Sequence, residues 1–151
     1  MKKNLIERVD SFGLPLSESV GKSIPSSSPV GKEFTSDEVF SHWVATDDGV
    51  EHGDKWYEKR IEKFPRWKIA EVNPKDVQGH TNSKGQNEIV YGMADSDEED
   101  VAQQYSHIDP SHLPLVILEP SGNKWKWIDG RHRSRASVIR GDLKMKALVP
   151  A

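Results

Sequence analysis

The basic residues of the C-terminal part of the chain are concentrated in one stretch, WIDGRHRSRASVIRG, residues 127–141. A strand pattern leads into an Asp-Gly turn, and a helical pattern of about ten residues follows it and ends at a glycine. The first backbone N–H groups of a helix lack partners within the helix and carry partial positive charge. The combination predicts a turn that binds phosphate.

The side chains beside this turn are of the kinds that hold phosphate. Arg131, His132 and Arg133 follow the turn directly, and guanidinium groups bind phosphate through paired hydrogen bonds. Gly130 has no Cβ, so the sequence predicts that a phosphate can approach the backbone closely at this position. Arg135 lies further along the predicted helix and extends the phosphate site.

The charge of the chain is distributed unevenly. Residues 131–146 contain six Lys or Arg residues and one Asp, whereas the whole chain has a net charge of -3. A DNA-binding surface is therefore expected to be a local patch, formed by Arg135, Arg140 and Lys144. The alternative is a solvated basic helix that packs through its few apolar residues.

Hydrolysis of a phosphate ester at this turn would need a base or a metal-binding carboxylate. Asp129, within the turn, and Glu71, on a predicted strand, are the candidates, and capping of the turn is the alternative role for Asp129. We expect Arg131 and Arg133 to neutralise charge and His132 to donate a proton to the leaving oxygen. Mg²⁺ or Mn²⁺ is the expected cofactor, and its ligands cannot be assigned from the sequence.

The elements that must position these residues can be predicted from periodicity and turn signals. Helices are predicted at 35–43, 54–64 and from about residue 96, and strands at 66–72, 113–119, 124–128 and 143–149, with a loop at 78–87. Thr35 and Glu38 form a capping-box pattern. Trp125 and Trp127 share one face of a strand and are expected in the core. The acidic run at 95–100 is either a metal-binding cluster or the first turn of a helix, which acidic residues favour.

Length and composition are consistent with a single domain that carries extensions. We predict a flexible N-terminal arm at residues 1–33, a helical extension at 34–65 and the main domain at 66–151. The chain has no cysteine, which excludes disulfides, thiolate catalysis and cysteine-ligated zinc. No apolar run is long enough to span a membrane, so a cytoplasmic protein without a membrane partner is expected.

The stretch at 127–141, with the apolar strand before it and the alternating strand after it, resembles the core of the ParB/sulfiredoxin fold. In partition proteins the turn has the pattern Gly-Glu-Arg-Arg-x-Arg-Ala, and four residues of this chain match it: Gly130, Arg133, Arg135 and Ala136. In sulfiredoxins the turn is Gly-Cys-His-Arg, and in free-serine kinases of the same fold it is similar to Asp-Gly-His-His-Arg. Residues 67–77 resemble the opening strand and Asn-Pro turn of this family.

The resemblance covers residues 67–149 and implies a small mixed α+β domain with an N-terminal helical extension. It implies that Gly130, His132 and Arg133 bind the phosphates of a nucleotide, with ATP and CTP as the expected nucleotides. Arg131 replaces the sulfiredoxin cysteine, which excludes sulfinic acid reduction. Arg131 also replaces the glutamate of the partition proteins, which argues against a clamp-type CTP switch. Centromere-type partition is not expected, because no helix-turn-helix region follows before Ala151.

Three functions remain open at this level. Small members of this fold include nucleotide hydrolases and nucleases, often on phages and plasmids, so the first expectation is a metal-dependent nuclease or NTPase of that origin. The second is a nucleotide- or DNA-binding module without catalysis. The third is a small-metabolite phosphotransferase, with Glu71 as the counterpart of the kinase carboxylate. The resemblance also implies that His107 and His112 lie near the nucleotide; otherwise they are surface loop residues.

Overall fold

A mixed β-sheet organises the part of the chain that the computed structural model describes, residues 22–46, 54–81, 87–89 and 96–151. The described strands are β1 (Glu33–Thr35), β2 (Arg66–Val72), β3 (Val77–Thr81), β4 (Asn87–Ile89), β5 (Val116–Ser121), β6 (Lys124–Asp129) and β7 (Met145–Pro150). The described helices are α1 (Ser36–Thr46), α2 (Asp54–Glu62), α3 (Ser96–Ser106) and α4 (Arg131–Arg140). A 3₁₀ turn at Pro74–Asp76 lies between β2 and β3, and another at Pro110–His112 lies between α3 and β5.

The seven described strands form one sheet in the order β1-β2-β7-β5-β6-β3-β4. Strands β5 and β6 form the predicted hairpin, and β7 returns between β2 and β5, antiparallel to the first and parallel to the second. Mixed pairing with helices confirms the predicted α+β class. In the described residues no helix has both the length and the apolar character required to cross a bilayer.

The two faces of the sheet have separate apolar cores, because side chains alternate along each strand. On one face Trp67, Ile69 and Ile117 pack with α1 and α2, where Trp43 and Tyr57 stack with ring centroids 4.2 Å apart. The other face carries a second cluster, in which Val138 of α4 packs against the strands; its buried residues are Val72, Val77, Val116, Leu118, Trp127, Ala147 and Val149. The core position predicted for the two strand tryptophans is confirmed: Trp127 is buried and Trp125 is partly buried against this cluster.

Local signals in the sequence define several boundaries correctly. The capping box is formed as predicted: the Glu38 N–H donates to Thr35 Oγ1 at 3.2 Å, and Glu38 Oε1 accepts from the Thr35 N–H at 3.0 Å. Helix α1 begins directly after Thr35, and strand β2 has the predicted bounds. The helix after the Asp-Gly turn ends at Gly141, whose φ of 78° is the left-handed conformation that glycine adopts at helix ends.

Two predictions of secondary structure are wrong. Part of the loop predicted at 78–87 is strand β3, which pairs in parallel with β6 through Val77 and Gln78. The strand predicted at 113–119 begins only at Val116 and continues to Ser121. Helix α2 is also two residues shorter than predicted, and its chain turns before Pro65.

The N-terminal strap, defined as residues 22–32, lies against the body of the domain. Ile24 is buried in the α1 and α2 core. The Gly31 N–H donates to the carbonyl of Ile69 at 2.8 Å, and the Ile69 N–H donates to the carbonyl of Lys32 at 3.0 Å. The predicted arm therefore includes a segment that contacts the sheet, while residues 1–21 lie outside the described residues. The domain boundaries at 33 and 65 stay predictions.

The acidic run falls at the start of a helix. Helix α3 begins at Ser96, so five residues of the run lie in its first turns, as the helix interpretation predicts. Residues 82–86 and 90–95, with the remainder of the predicted loop and of the acidic run, lie outside the described residues.

Candidate functional site

A cavity of about 430 Å³ opens at one end of the sheet. It lies where β5 and β7 begin and β2 ends, and the strap and helix α4 form two of its walls. Six charged side chains line it: Arg133, Arg140, Lys144, Lys146, Glu71 and Asp142. Four of them are basic, so the cavity offers positive charge to a ligand. Serine hydroxyls from the strap, the 3₁₀ turn and α4 also line it.

Arg133 is buried between α4 and the segment before β5. Its side chain is only 4% exposed, and Nη1 donates to the carbonyl of Pro114 at 2.8 Å and to that of Leu115 at 3.3 Å. Its Nη2 donates to Asp129 Oδ2 at 3.1 Å. The guanidinium is thus held in one orientation beside the cavity by two carbonyl groups and one carboxylate.

Asp129 is the partner of the buried arginine. Helix α4 begins at Arg131, and its N-cap residue, Gly130, forms no side-chain cap. The Asp129 carboxylate forms an i,i+4 ion pair with Arg133, and its side chain is 12% exposed. Asp129 therefore orients the buried arginine. Capping of the turn by Asp129 stays a prediction.

Residues 113–115 explain both the late start of β5 and the position of Arg133. Each of their carbonyl groups accepts a hydrogen bond from a side chain: Leu113 from Ser26 Oγ, Pro114 from Arg133, and Leu115 from His42 Nε2 at 3.0 Å and Arg133. Because these carbonyls are occupied by side chains, the segment does not join the ladder of the sheet. It forms a floor for the cavity instead.

His42 supports this floor from the core. Its Nδ1 accepts a hydrogen bond from the Ile24 N–H at 2.8 Å, so Nε2 carries the proton and donates to the Leu115 carbonyl. Burial lowers the pKa of His42 to about 4; the hydrogen bond to Leu115 opposes this shift, and the positive charge of Arg133 adds to it. His42 is therefore neutral at pH 7 and links the strap to the cavity floor.

Lys146 lines the cavity from strand β7 and is fixed by backbone carbonyls. Its Nζ donates to the carbonyl of Ser28 at 2.7 Å and to that of Ser26 at 3.2 Å. Glu71 is its partner in the β2–β7 register, is exposed, and lines the same cavity. The carbonyl groups fix the ammonium group without neutralising its charge.

Arg140 closes the far end of the α4 wall. Its Nε donates to Asp142 Oδ2 at 3.0 Å, and its Nη1 donates to the carbonyl of Tyr105 at 3.2 Å. These contacts attach α4 to the end of α3. Of the residues predicted to bind DNA, Arg140 and Lys144 thus lie at the cavity, and Lys144 is exposed there.

The remaining predicted site residues lie on another side of α4. We call Arg133, Ser137 and Arg140 the cavity side, and Arg131, His132 and Arg135 the turn side. The guanidinium carbon of Arg131 lies 5.7 Å from the centroid of the Trp127 ring, and the His132 ring lies 6.5 Å from that of Tyr105. All three turn-side residues are half-buried, and none of them lines the cavity. Of the side chains predicted to bind phosphate, Arg133 alone lines this cavity among the described residues, and a phosphate site at the turn stays a prediction.

The reason for a glycine at position 130 is visible in the packing. Its φ is 113°, and a Cβ placed there would lie 2.3 Å from Val116 Cγ1 and 3.2 Å from Val116 Cα. Only a residue without Cβ permits this close contact between the turn and β5. The packing accounts for the glycine without reference to a phosphate, whose approach to this position stays a prediction.

The predicted loop histidines lie on the surface. His107 and His112 are both exposed, and neither lines the cavity, although Ser111 between them does. The N–H of Ser111 lowers the pKa of Asp109, and the Ser111 hydroxyl group adds to this effect. Within the described residues no three His, Asp or Glu side chains converge in a way that could hold a metal ion.

The roles of the strap and of Lys146 in the cavity, and of His42 behind its floor, were not predicted from the sequence. The strap has the composition of a loop, and its role depends on contacts with residues more than 80 positions away. Lys146 belongs to the positively charged segment 131–146, but only the register of β7 places it opposite Glu71. The sequence signal that could have revealed it is the spacing of Lys144 and Lys146, because residues two positions apart in a strand lie on the same face.

No family model and no curated protein matches the chain. Among solved structures, the chain is similar to the C-terminally truncated chromosome-partitioning protein ParB from Caulobacter crescentus in complex with CTP-gamma-S. The TM-score is 0.37 and the sequence identity 18%, over 54% of this chain and 43% of that chain. The matched part is thus less than half of the ParB structure.

Proposed function

We propose that this domain binds a phosphorylated small molecule, first of all a nucleoside triphosphate such as ATP or CTP, in the basic cavity. The observation that carries the proposal is that Arg133, on helix α4, and Lys146, on strand β7, both line the cavity and are both fixed by backbone carbonyl groups. Charged groups that are already oriented need little rearrangement when an anion binds.

The charge of the cavity supports an anionic ligand. Carbonyl oxygens satisfy N–H donors but carry no net charge, so Lys146 keeps its positive charge beside the cavity. Arg133 and Arg140 are each paired with one carboxylate, whereas Lys144 is exposed at the rim. Phosphate groups that enter the cavity would gain from this excess of positive charge.

The size and the lining of the cavity support a ligand that is larger than phosphate alone. Its volume of about 430 Å³ lies within the usual range for small-molecule sites. Ser26, Ser27, Ser111 and Ser137 provide hydroxyl groups along the walls. Hydroxyl groups can donate to phosphate oxygens and accept from sugar hydroxyls, as a nucleotide requires.

Hydrolysis of the ligand is the second candidate function, and Glu71 favours it. This exposed carboxylate lines the same cavity as the four cations. Mg²⁺ is commonly held by one or two carboxylates together with the phosphates of its ligand. Glu71 fits that role, and a bound metal would neutralise charge on the phosphates. Arg133 would orient them, while His132 and Arg131 would act only on a ligand that extends to the turn side.

Binding is tested by calorimetric titration with ATP, CTP and pyrophosphate. We expect Lys144→Ala to weaken binding about tenfold, because it removes one charged contact. Lys124→Ala is the matched control, since Lys124 is also an exposed lysine but pairs with Asp76 outside the cavity. Absence of binding for all three ligands, or equal effects of the two variants, would overturn the proposed site.

Hydrolysis is tested by incubating the protein with ATP, CTP and plasmid DNA, with and without Mg²⁺ or Mn²⁺. Phosphate release that is lost in Glu71→Gln supports an NTPase at the cavity. Metal-dependent nicking that is lost in His132→Ala supports a nuclease at the turn side. Binding without any product leaves a binding module, which is the alternative predicted from the sequence. Transfer of phosphate to an added hydroxyl compound would identify the phosphotransferase.

A further inference from the structure

The strap contributes a wall to the proposed ligand site. Ser26 and Ser27 line the cavity, and Ser28, the next residue of the strap, is 7% exposed. The strap is also held on both sides of these serines. Before them, the Ile24 N–H donates to His42, and after them, the Gly31 N–H donates to the Ile69 carbonyl. Residues 25–30 therefore form a short loop with fixed ends.

Lys146 lines the cavity and also contacts this loop. An ammonium group has three N–H donors. Two of them are occupied by the carbonyl groups of Ser26 and Ser28. Within the described residues, the third N–H has no acceptor, and the side chain lines the cavity. One ammonium group can thus bind the strap and a ligand anion at the same time.

We propose that Lys146 couples ligand binding to docking of the strap. The inference rests on the proposed function and adds a positioning residue and a second partner for the ligand. An anion bound to the third N–H holds Lys146 in place, and Lys146 in turn holds the carbonyl groups of Ser26 and Ser28. Because the coupling is reciprocal, the docked strap also strengthens ligand binding.

The coupling is local and does not depend on the fold as a whole. Ser26 Oγ donates to the Leu113 carbonyl, and Ile24 is buried in the core, so the strap keeps these attachments when Lys146 is removed. Loss of Lys146 is therefore expected to loosen residues 25–30 and leave the domain folded. This separates a coupling role from a purely structural one.

The absence of cysteine in the chain provides the test. A single Ser28→Cys variant carries one thiol at a buried position of the strap, and its rate of reaction with a soluble disulfide reagent measures how often the strap opens. We expect Lys146→Met to increase this rate about tenfold, because it removes charge-assisted hydrogen bonds. In protein with Lys146 intact, saturating ATP is expected to slow the reaction severalfold. With Lys146→Met, ATP at saturation is expected to leave the rate unchanged.

The variant Lys144→Met is the matched control, because Lys144 lines the cavity but has no hydrogen bond to the strap. It is expected to need more ATP for saturation and then to show the same slowing as the parent protein. If ATP binds but does not slow the reaction when Lys146 is present, the coupling is wrong and the proposed function stands. If ATP, CTP and pyrophosphate all fail to bind, the proposed function and the coupling both fall. An unchanged rate in Lys146→Met without ligand shows that Lys146 does not hold the strap.

Discussion

Helix α4 has two basic sides that use their cations differently. On the cavity side, Arg133 is 4% exposed, and its guanidinium donates to two carbonyl groups and a carboxylate. On the turn side, Arg131, His132 and Arg135 are half-buried, and Arg131 lies over the Trp127 ring. The first side is fixed by the interior of the protein, whereas the second is only partly covered.

This difference shows that a cluster of arginines in sequence need not be a cluster in space. Successive residues of a helix point 100° apart, so Arg131 and Arg133 diverge although they follow the same turn. An arginine within the cavity wall can bind a ligand only at the donors that the protein leaves accessible. The turn side and the cavity side should therefore respond differently to substitution.

The largest effect is expected from Gly130→Ala, because this turn positions both sides of α4. A Cβ at position 130 overlaps Val116, and the φ of 113° is strained for alanine. We expect a loss of about 4 kcal/mol in the free energy of unfolding, measured by chemical denaturation. Gly122→Ala is the matched control: its φ is also positive, but no atom lies within 4 Å of the added Cβ. It should cost about 1 kcal/mol; equal losses would contradict the packing explanation.

Arg133→Met should lower the free energy of unfolding by about 3 kcal/mol. It removes the buried ion pair with Asp129 and the donor to the Pro114 carbonyl. Arg135→Met, at a half-buried position on the turn side of the same helix, should lower the free energy of unfolding by only about 1 kcal/mol. Denaturation of the two variants side by side gives the comparison directly. Similar losses would show that the two sides do not differ in the way described.

Acid should weaken the cavity floor through His42. The pKa of this residue is lowered by burial to about 4 in the folded protein, against about 6.5 when unfolded. The contribution of neutral His42 to the free energy of unfolding is therefore intact above pH 6.5. It is lost as the pH falls towards 4, because protonation of His42 in the unfolded chain alone stabilises the unfolded state. Between pH 7 and 4.5 the loss should be about 2 kcal/mol. In His42→Gln, whose side chain cannot titrate, the free energy of unfolding should fall by about 2 kcal/mol less over the same pH interval. Parallel pH profiles of the two proteins would exclude His42 as the cause.

A small effect on stability is expected from Arg131→Gln. Its contact with Trp127 is a cation–π interaction, worth about 0.5–1 kcal/mol at a partly exposed site. If the turn side contacts DNA phosphates, the variant should also reduce the slope of log affinity against log salt concentration by about one. Binding of ATP in the cavity should not change. Weaker ATP binding in this variant would mean that the two sides form one site.

Local signals in the sequence were sufficient for much of this fold. The Thr35–Glu38 capping box, the alternation in β2 and the glycine at 141 each depend on neighbours within a few positions, and each was predicted correctly. The Asp-Gly turn and the helix after it were also predicted, although the glycine is explained by Val116 and Asp129 is paired with Arg133.

The candidate site was predicted less completely because it is assembled from distant segments. Strand β3 is polar and pairs with β6 over almost 50 positions, which periodicity does not reveal. The Leu113 and Leu115 carbonyls bond to Ser26 and His42, 87 and 73 positions away, and the alternation of apolar residues does not reveal such contacts, so the predicted strand starts three residues too early. Glu71 was predicted as a candidate from the resemblance, and β-sheet register then determined which cation lies opposite it.

The occupied carbonyl groups of residues 113–115 also bear on the order of folding. They bond to side chains of the strap, of α1 and of α4, which are far apart along the chain. Contacts between distant residues form only after the intervening chain has been ordered, at a cost in loop entropy. The β5–β6 hairpin can form earlier, because its contacts are local. We therefore expect the cavity to be assembled late in folding, after the hairpin that supports it.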